Sequence, residues 1–433
     1  MKKRNGKKWK MVLLLLLIGF IGIQFIRPSI PTSPVSSNSV WPANVDHVLK
    51  SACYDCHSNQ TSLKWFDQIA PAYWLVASHV KEARKALNFS DWDKLMPADQ
   101  KARLYLSLNT ILEKEMPLSS YTLLHSNARV DSNEIDILKN YLISISPQKV
   151  SDSGVVSAAK TQYDTWIAAE GKLAANVKPA PNNIEYIPGY RNWTAISTTD
   201  RFDNGTFRVI FGNDIAVKAI KENHINPWPD GATFAKVAWT KLIDSTGNAS
   251  SGEFKQVEFM IKDSKKYSST NGWGWARWKG TNLTPYGKDA GFTNECTSCH
   301  EPMKDNDFVF TIPINLNATL EQKVITSGMK EKTHTMYTLY ANDIGAQHAT
   351  TANGQYPAGT ILSLVTWTQR PDAHWFGGNI PKSVESVEVV QFDSSNKPVY
   401  TCYSGTPLSV NKSVQNTNER VAFIVNKKAA VTP

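Results

Sequence analysis

Hydrophobic and polar positions divide the chain into four stretches with different patterns. Met11–Ile26 is a run of sixteen residues in which only Gln24 is strongly polar, preceded by a basic stretch. This predicts an export signal over residues 1–27. No small-x-small cleavage site follows and no cysteine precedes Cys53, so an uncleaved inner-membrane anchor is preferred to a cleaved signal. Residues 28–44 hold four prolines and five serines and read as a linker.

From Val45 the pattern is helical. Val45–Ala52, Ala72–Leu87 and Asp91–Glu115 have helix-forming composition, and Asp131 with Glu134 forms a capping-box pattern ahead of Ile135, Leu138, Leu142 and Ile145. An all-helical domain is expected over 45–148. Beyond residue 160 the period shortens to two: Phe234, Lys236 and Ala238 share one strand face, and Trp228-Pro229-Asp230-Gly231 is a turn signal. The expectation there is mainly antiparallel β structure, making the protein a multidomain α and β chain.

The β part repeats. Residues 228–240 align without gaps on 356–368 with identities at Pro229, Gly231, Val237, Trp239 and Thr240, and Asn213-Asp214-Ile215 recurs as Asn342-Asp343-Ile344. Two successive domains are therefore expected, 160–316 and a diverged copy over 325–430. Charge adds one correction to a first impression of basicity. Of 47 Lys and Arg, seven fall in the first 30 residues with no acid, so the remainder carries 40 basic against 38 acidic groups. The net charge of +9 belongs to the N-terminal tail, and a nucleic-acid partner is not expected. With 41% hydrophobic residues the chain can bury real cores, which excludes a disordered protein.

The candidate chemistry lies in the cysteines. Cys53-Tyr54-Asp55-Cys56-His57 and Cys296-Thr297-Ser298-Cys299-His300 both have the C-x-x-C-H spacing of covalent c-type haem attachment. Composition alone predicts about 0.001 such matches. Two thiols three apart on a helical turn can form thioethers to two vinyl groups, and the adjacent histidine can ligate the iron. Two covalently bound c-type haems are the expected cofactors. The alternatives are one zinc site of four thiolates or two redox disulfides, neither of which needs a histidine after each pair. Cys402 is left as a buried free thiol.

At Cys53-Tyr54-Asp55-Cys56-His57-Ser58-Asn59, Ile69-Ala70-Pro71 and Leu87-Asn88-Phe89-Ser90 the helical part resembles the c-type haem-binding domain found fused to other redox modules. A sixth iron ligand there would be Met116, in Glu115-Met116-Pro117, with His79 and His125 as competitors. At Tyr190-Arg191-Asn192-Trp193, Asp230-Gly231 with Lys236, Glu258 with Lys262-Asp263-Ser264-Lys265-Lys266-Tyr267, and Glu295-Cys296 to His300, the first β repeat resembles the cytochrome P-460 family. That resemblance implies one c-type haem with an open distal position, an extra lysine–haem crosslink in the enzymatic branch, and oxidation of hydroxylamine or handling of nitric oxide. The motif lysine falls on Lys236.

Lys236 lies on an apolar strand face, where a lysine needs a partner, and its counterpart in the copy without C-x-x-C-H is Leu364. Haem is the expected partner; the alternative is a lysine snorkelling off a strand edge. Glu258 is the expected general base, but Val257-Glu258-Phe259 is echoed by Val387-Glu388-Val389, which equally fits a shared structural glutamate. The expected function is a periplasmic dihaem cytochrome that oxidises hydroxylamine or nitric oxide at the second haem and passes electrons to the first and on to an external redox partner. The alternative is nitric oxide binding or electron transfer without turnover, as in non-crosslinked relatives of the cytochrome c-prime-beta type. The copy is expected to mimic a partner subunit, dimerisation being common in the resembling family.

Overall fold

The computed structural model describes residues 4–30, 40–146, 149–169, 171, 176–314, 322–350 and 355–433. They form two compact units, Met1–Ile145 and Ser146–Pro433.

The first unit is helical: α1 (Arg4–Ile23), α2 (Ala43–Ala52), α3 (Tyr54–His57), α4 (Ala72–Ala86), α5 (Pro97–Leu112), α6 (Ser119–Thr122) and α7 (Ser132–Ser144). In α1 the apolar part is Met11–Ile23, about 20 Å at the helical rise, against a hydrocarbon core of about 30 Å. Among the described residues no helix is long and apolar enough to cross a membrane. The segment after it is docked on the domain. The Gln24 side chain accepts from Ala70 N at 2.8 Å and donates to Ala70 O at 3.1 Å, and Trp74 Nε1 donates to Ile26 O at 2.6 Å. Most of the expected linker, residues 31–39, lies outside the described residues. The capping box on α7 is formed, with Asp131 and Glu134 exchanging hydrogen bonds of 2.9 Å. Helix α7 is held to α5 where Tyr105 Oη donates to Leu142 O at 3.1 Å.

The second unit opens with α8 (Ser153–Ala168) and continues in strands β1 (Thr194–Arg201), β2 (Thr206–Gly212), helix α9 (Asp214–Lys221), β3 (Thr233–Ile243), β4 (Ala249–Lys262), β5 (Trp273–Lys279), β6 (Thr284–Pro285) and helix α10 (Thr293–His300). The second repeat follows as β7 (Lys323–Lys330), β8 (Thr335–Ala341), α11 (Asp343–Ala349), β9 (Ile361–Pro371), β10 (Gly378–Phe392), β11 (Pro398–Ser404), β12 (Ser409–Val410) and α12 (Thr417–Val425). The recurring Asn-Asp-Ile has one structural role in both copies. Asn213 and Asn342 cap α9 and α11, each accepting at 3.0 Å from the third residue on, and each donates at 2.8 Å to a glycine carbonyl, Gly231 or Gly359. Both glycines have positive φ, +90° and +81°, which explains their identity in the repeat.

The repeats, expected as two successive domains, share one antiparallel sheet. Strands β1–β4 and β7–β10 close into a ring through two seams, Ala249 opposite Met329 and Ser250 opposite Gly328 on one side, Gly378 opposite Arg201 and Asn379 opposite Asp200 on the other. Ala249 and Gly378 are 129 residues apart, and Arg201 and Met329 are 128 apart, so the seams are the same contact made twice. The cause is edge pairing. A four-stranded half leaves unpaired backbone groups at the ends of its first and last strands, and at each seam the other half pairs two residues of them.

Candidate functional site

Each C-x-x-C-H segment walls a cavity, and the two cavities differ in character. In the first unit Cys53, Cys56 and His57 lie at the α2–α3 junction and border a cavity of about 390 Å³. His57 Nδ1 donates to Leu87 O at 3.1 Å, which leaves Nε2 as the ligating nitrogen. The Leu87–Ser90 segment also fixes the turn after the histidine: Asn59 N donates to Ser90 Oγ at 2.8 Å, and Asn88 Nδ2 to Asn59 Oδ1 at 3.2 Å. Met116 and His79 line the same cavity. His125 does not compete with them. Its Nε2 is 2.9 Å from Asp67 Oδ2 and its Nδ1 3.1 Å from Tyr121 O, so both nitrogens are taken up in a buried structural pair.

In the second unit Cys296, Cys299 and His300 end α10 and border a cavity of about 300 Å³. His300 Nδ1 donates to Phe308 O at 2.7 Å, again leaving Nε2 for a metal. The ring lies between Trp275 and Phe310, with centroids at 4.5 and 4.9 Å. Burial drives its imidazole down to about 4, so at neutral pH it is an uncharged ligand.

The opposing wall is a cross-strand row in which Ile210, Lys236, Glu258 and Arg277 stand in register on β2, β3, β4 and β5. Lys236 Nζ is 2.7 Å from Glu258 Oε2, and Arg277 Nε is 3.6 Å from Glu258 Oε1, so cation, anion and cation alternate across the strands. Gln256 donates to the same carboxylate. Burial alone would raise Glu258, but Lys236, Arg277 and Arg208 outweigh it and bring the carboxyl to about 2. Lys236 is pulled down chiefly by burial, against the raising effect of Glu258. Within the sheet the lysine therefore has a protein partner, Glu258. Arg208, another cavity residue, has a buried Nε with no hydrogen-bond partner among the described residues, and burial lowers it to about 10.

The second repeat preserves the row with other chemistry. Leu339, Leu364, Glu388 and Cys402 take the places of Ile210, Lys236, Glu258 and Arg277. Glu388 is satisfied instead by Arg420 of α12, at 2.7 and 2.5 Å, and by Tyr400 Oη at 2.6 Å. Cys402, expected as a buried free thiol, is one. The second repeat also reaches the haem half's cavity: Asp372, Trp375 and Ile380 line it. The ring closure brings Asp372, Trp375 and Ile380 there, whereas Arg208 and Arg277 arrive through strand pairing within the first repeat.

The residues fit a haem in both cavities. Burial pushes the thiols up, Cys53 to about 12, Cys56 and Cys296 to about 11, and Cys299 in the same direction. This is opposite to the thiolate-stabilising surroundings of a redox C-x-x-C. Among the described residues no group of three or more His, Cys, Asp or Glu is placed to hold a metal ion, so a zinc site has no ligand set there. Paired thiols, an imidazole anchored through Nδ1 and, in the second cavity, a guanidinium whose buried Nε has no partner among the described residues are what a porphyrin with acidic side groups can use.

Comparison with known families agrees. Residues 17–144 match the haem-binding domain family, and residues 187–311 match Cytochrome P460. The first match begins inside α1, consistent with the docking of Gln24 on Ala70. No curated protein matches the chain. The chain thus joins a haem-binding domain to a cytochrome P460 domain, with the second repeat outside both matched segments.

Proposed function

We propose that the protein is an exported dihaem c-type cytochrome that oxidises hydroxylamine or nitric oxide in its second unit and passes the electrons to its first. Cys53 and Cys56, and Cys296 and Cys299, would form the thioethers, and His57 and His300 would hold the iron. Bound haem supplies one-electron chemistry and an iron position open to a small nitrogen ligand. The observation that carries the reading is the Lys236–Glu258 pair in the wall of the His300 cavity, 2.7 Å apart.

The pair has two roles in this reading. Lys236 would be the crosslinking amine: an N–H and a haem C–H would be replaced by one N–C bond, with two protons and two electrons passing to an oxidant such as hydrogen peroxide, and the loss of the ammonium would remove the cation nearest Glu258. The carboxylate then moves up from its ion-paired value of about 2 toward the range of a general base, where it accepts protons released by the substrate. Arg277 and Gln256 hold it in place. In the first unit Met116, on the wall of the His57 cavity, would supply a second protein ligand to the iron for electron transfer. The basic tail and Met11–Ile26 support export to the periplasm, where an external redox partner takes the electrons.

The same ion pair also suits nitric oxide binding without turnover, in which Lys236 keeps its charge and stays with Glu258. Tryptic mass spectrometry of the holoprotein separates the readings. A haem peptide joined to the Lys236 peptide, with hydroxylamine consumption in the presence of an oxidant, supports the enzyme. A free Lys236 peptide without turnover leaves the gas-binding reading.

A further inference from the structure

The ring closure carries a loop of the haem-less repeat to the axial histidine of the other half. Between β9 and β10 run Asp372-Ala373-His374-Trp375-Phe376-Gly377, and the equivalent loop of the first repeat, between β3 and β4, is Asp244-Ser245-Thr246-Gly247-Asn248. The shared aspartate starts both turns: His374 N donates to Asp372 Oδ1 at 3.0 Å, and Thr246 N to Asp244 Oδ1 at 2.8 Å. After it the loops diverge. The small polar loop belongs to the haem half, and the His-Trp-Phe loop is the one that faces the haem half's cavity.

Its side chains converge on Phe310. His374 Nδ1 donates to Phe310 O at 2.8 Å, and the Trp375 ring meets the Phe310 ring edge-on at 5.8 Å. Phe310 in turn lies edge-on to His300, at 4.9 Å and 75°. The loop is itself held against β1. Trp375 Nε1 donates to Asp203 Oδ2 at 3.1 Å, the Arg201 guanidinium lies 4.5 Å above the Trp375 ring, and Asp203 N donates to Gly377 O at 3.2 Å. Gly377 has φ +110°, a conformation closed to other residues without strain. Each link is a hydrogen bond or a ring contact on a braced backbone, so the orientation of one face of the His300 ring is set from the other repeat.

We propose that His374 and Trp375 of the haem-less repeat are positioning residues for His300: by clamping Phe310 against the imidazole they fix its rotation and hold Nε2 on the iron. This rests on haem being bound at His300, as under the function proposed above. Such outer contacts set ligand orientation and bond strength without touching the metal. The haem-less half is then a working part of the site rather than a remnant.

The test uses the full-length holoprotein and the iron–histidine stretching band of the ferrous second haem by resonance Raman spectroscopy, with nitric oxide as the probe of histidine release. H374A and W375A are expected to shift and broaden the band and to increase the five-coordinate nitrosyl fraction several-fold. H374N, which restores a side-chain N–H donor, and W375F, which restores a ring, are expected to return both readings toward the parent. T246A, in the equivalent loop, serves as the control and leaves them unchanged. If H374A fails to retain haem, F310L gives the same reading with the backbone bond intact. A parent-like band in H374A and W375A, or in F310L, overturns the proposal. Absence of any iron–histidine band in the parent overturns the haem reading itself.

Discussion

Lys236 and Glu258 face each other across β3 and β4 at 2.7 Å, and the haem-less repeat keeps the glutamate but not the lysine. Leucine is thus already tolerated at this strand position. K236L is expected to fold and to retain both haems, to lose any haem-linked Lys236 peptide, and to lose hydroxylamine turnover. E258Q is expected to keep the crosslinked peptide and ligand binding while turnover falls about 10²–10⁴-fold, the usual size of a general-base contribution. Peptide mass spectrometry and steady-state assays on the two variants check this. Turnover surviving in E258Q would return Glu258 to a purely structural role.

The two C-x-x-C-H segments lie in separate compact units. C53A/C56A and C296A/C299A should therefore each remove one haem and leave the other with its own spectrum. Haem-to-protein ratios should fall from two to one in either variant, and to zero in the quadruple variant.

Met116 and His79 share a cavity with His57, while His125 is occupied by Asp67 and Tyr121. M116A is expected to convert the first haem from low to high spin, to admit carbon monoxide and to lower its midpoint potential. H79A should leave the spin state unchanged. H125A should act on stability instead, by about 1–3 kcal/mol, because Asp67 loses its buried partner. Electronic absorption and denaturant titration separate the two effects.

Glu388 makes a prediction about acid stability. Burial would raise its carboxyl, but Arg420 and Tyr400 bring it below the ordinary 4.5. The folded carboxyl then binds a proton less readily than the unfolded one. Its contribution is complete above about pH 4.5 and is lost as pH falls through the lower folded value. R420L removes the strongest partner of the carboxylate, so the carboxyl moves up from its folded value while Tyr400 and Lys330 still act against burial. The variant should be destabilised by about 2–3 kcal/mol at pH 7, and the gap to the parent should narrow on acidification. Denaturant midpoints from pH 4 to 7 test this; a constant gap would contradict it.

Legibility in the sequence followed the range of each signal. The C-x-x-C-H segments, the Asp131–Glu134 capping box and the capping asparagines of the repeat are local, and their roles can be read from spacing alone. Lys236 was legible as a lysine needing a partner, yet that partner, Glu258, was read separately, because only the β3–β4 register puts them opposite. His125 was visible as a possible ligand, while the carboxylate that occupies it lies 58 residues away. Arg208 and Arg277 were missed because only the pairing of β2 and β5 with the strands between them brings both to the cavity. The His374–Gly378 segment stood out in sequence, but its place in the cavity depends on two edges of the sheet closing, and no local pattern encodes a closure over more than a hundred residues.

The doubled seam has a consequence for how such an assembly can change. In a pair of separable identical chains every substitution lands on both sides, so a mutation that suits one centre is imposed on the other, and dilution can undo the pairing. Tethering the halves in one polypeptide makes their encounter independent of concentration. It also lets each seam mutate alone, so Arg201 can oppose Gly378 on one side while Met329 opposes Ala249 on the other. One half can thereby keep the Lys236–Glu258 pair while the other replaces the lysine with Leu364.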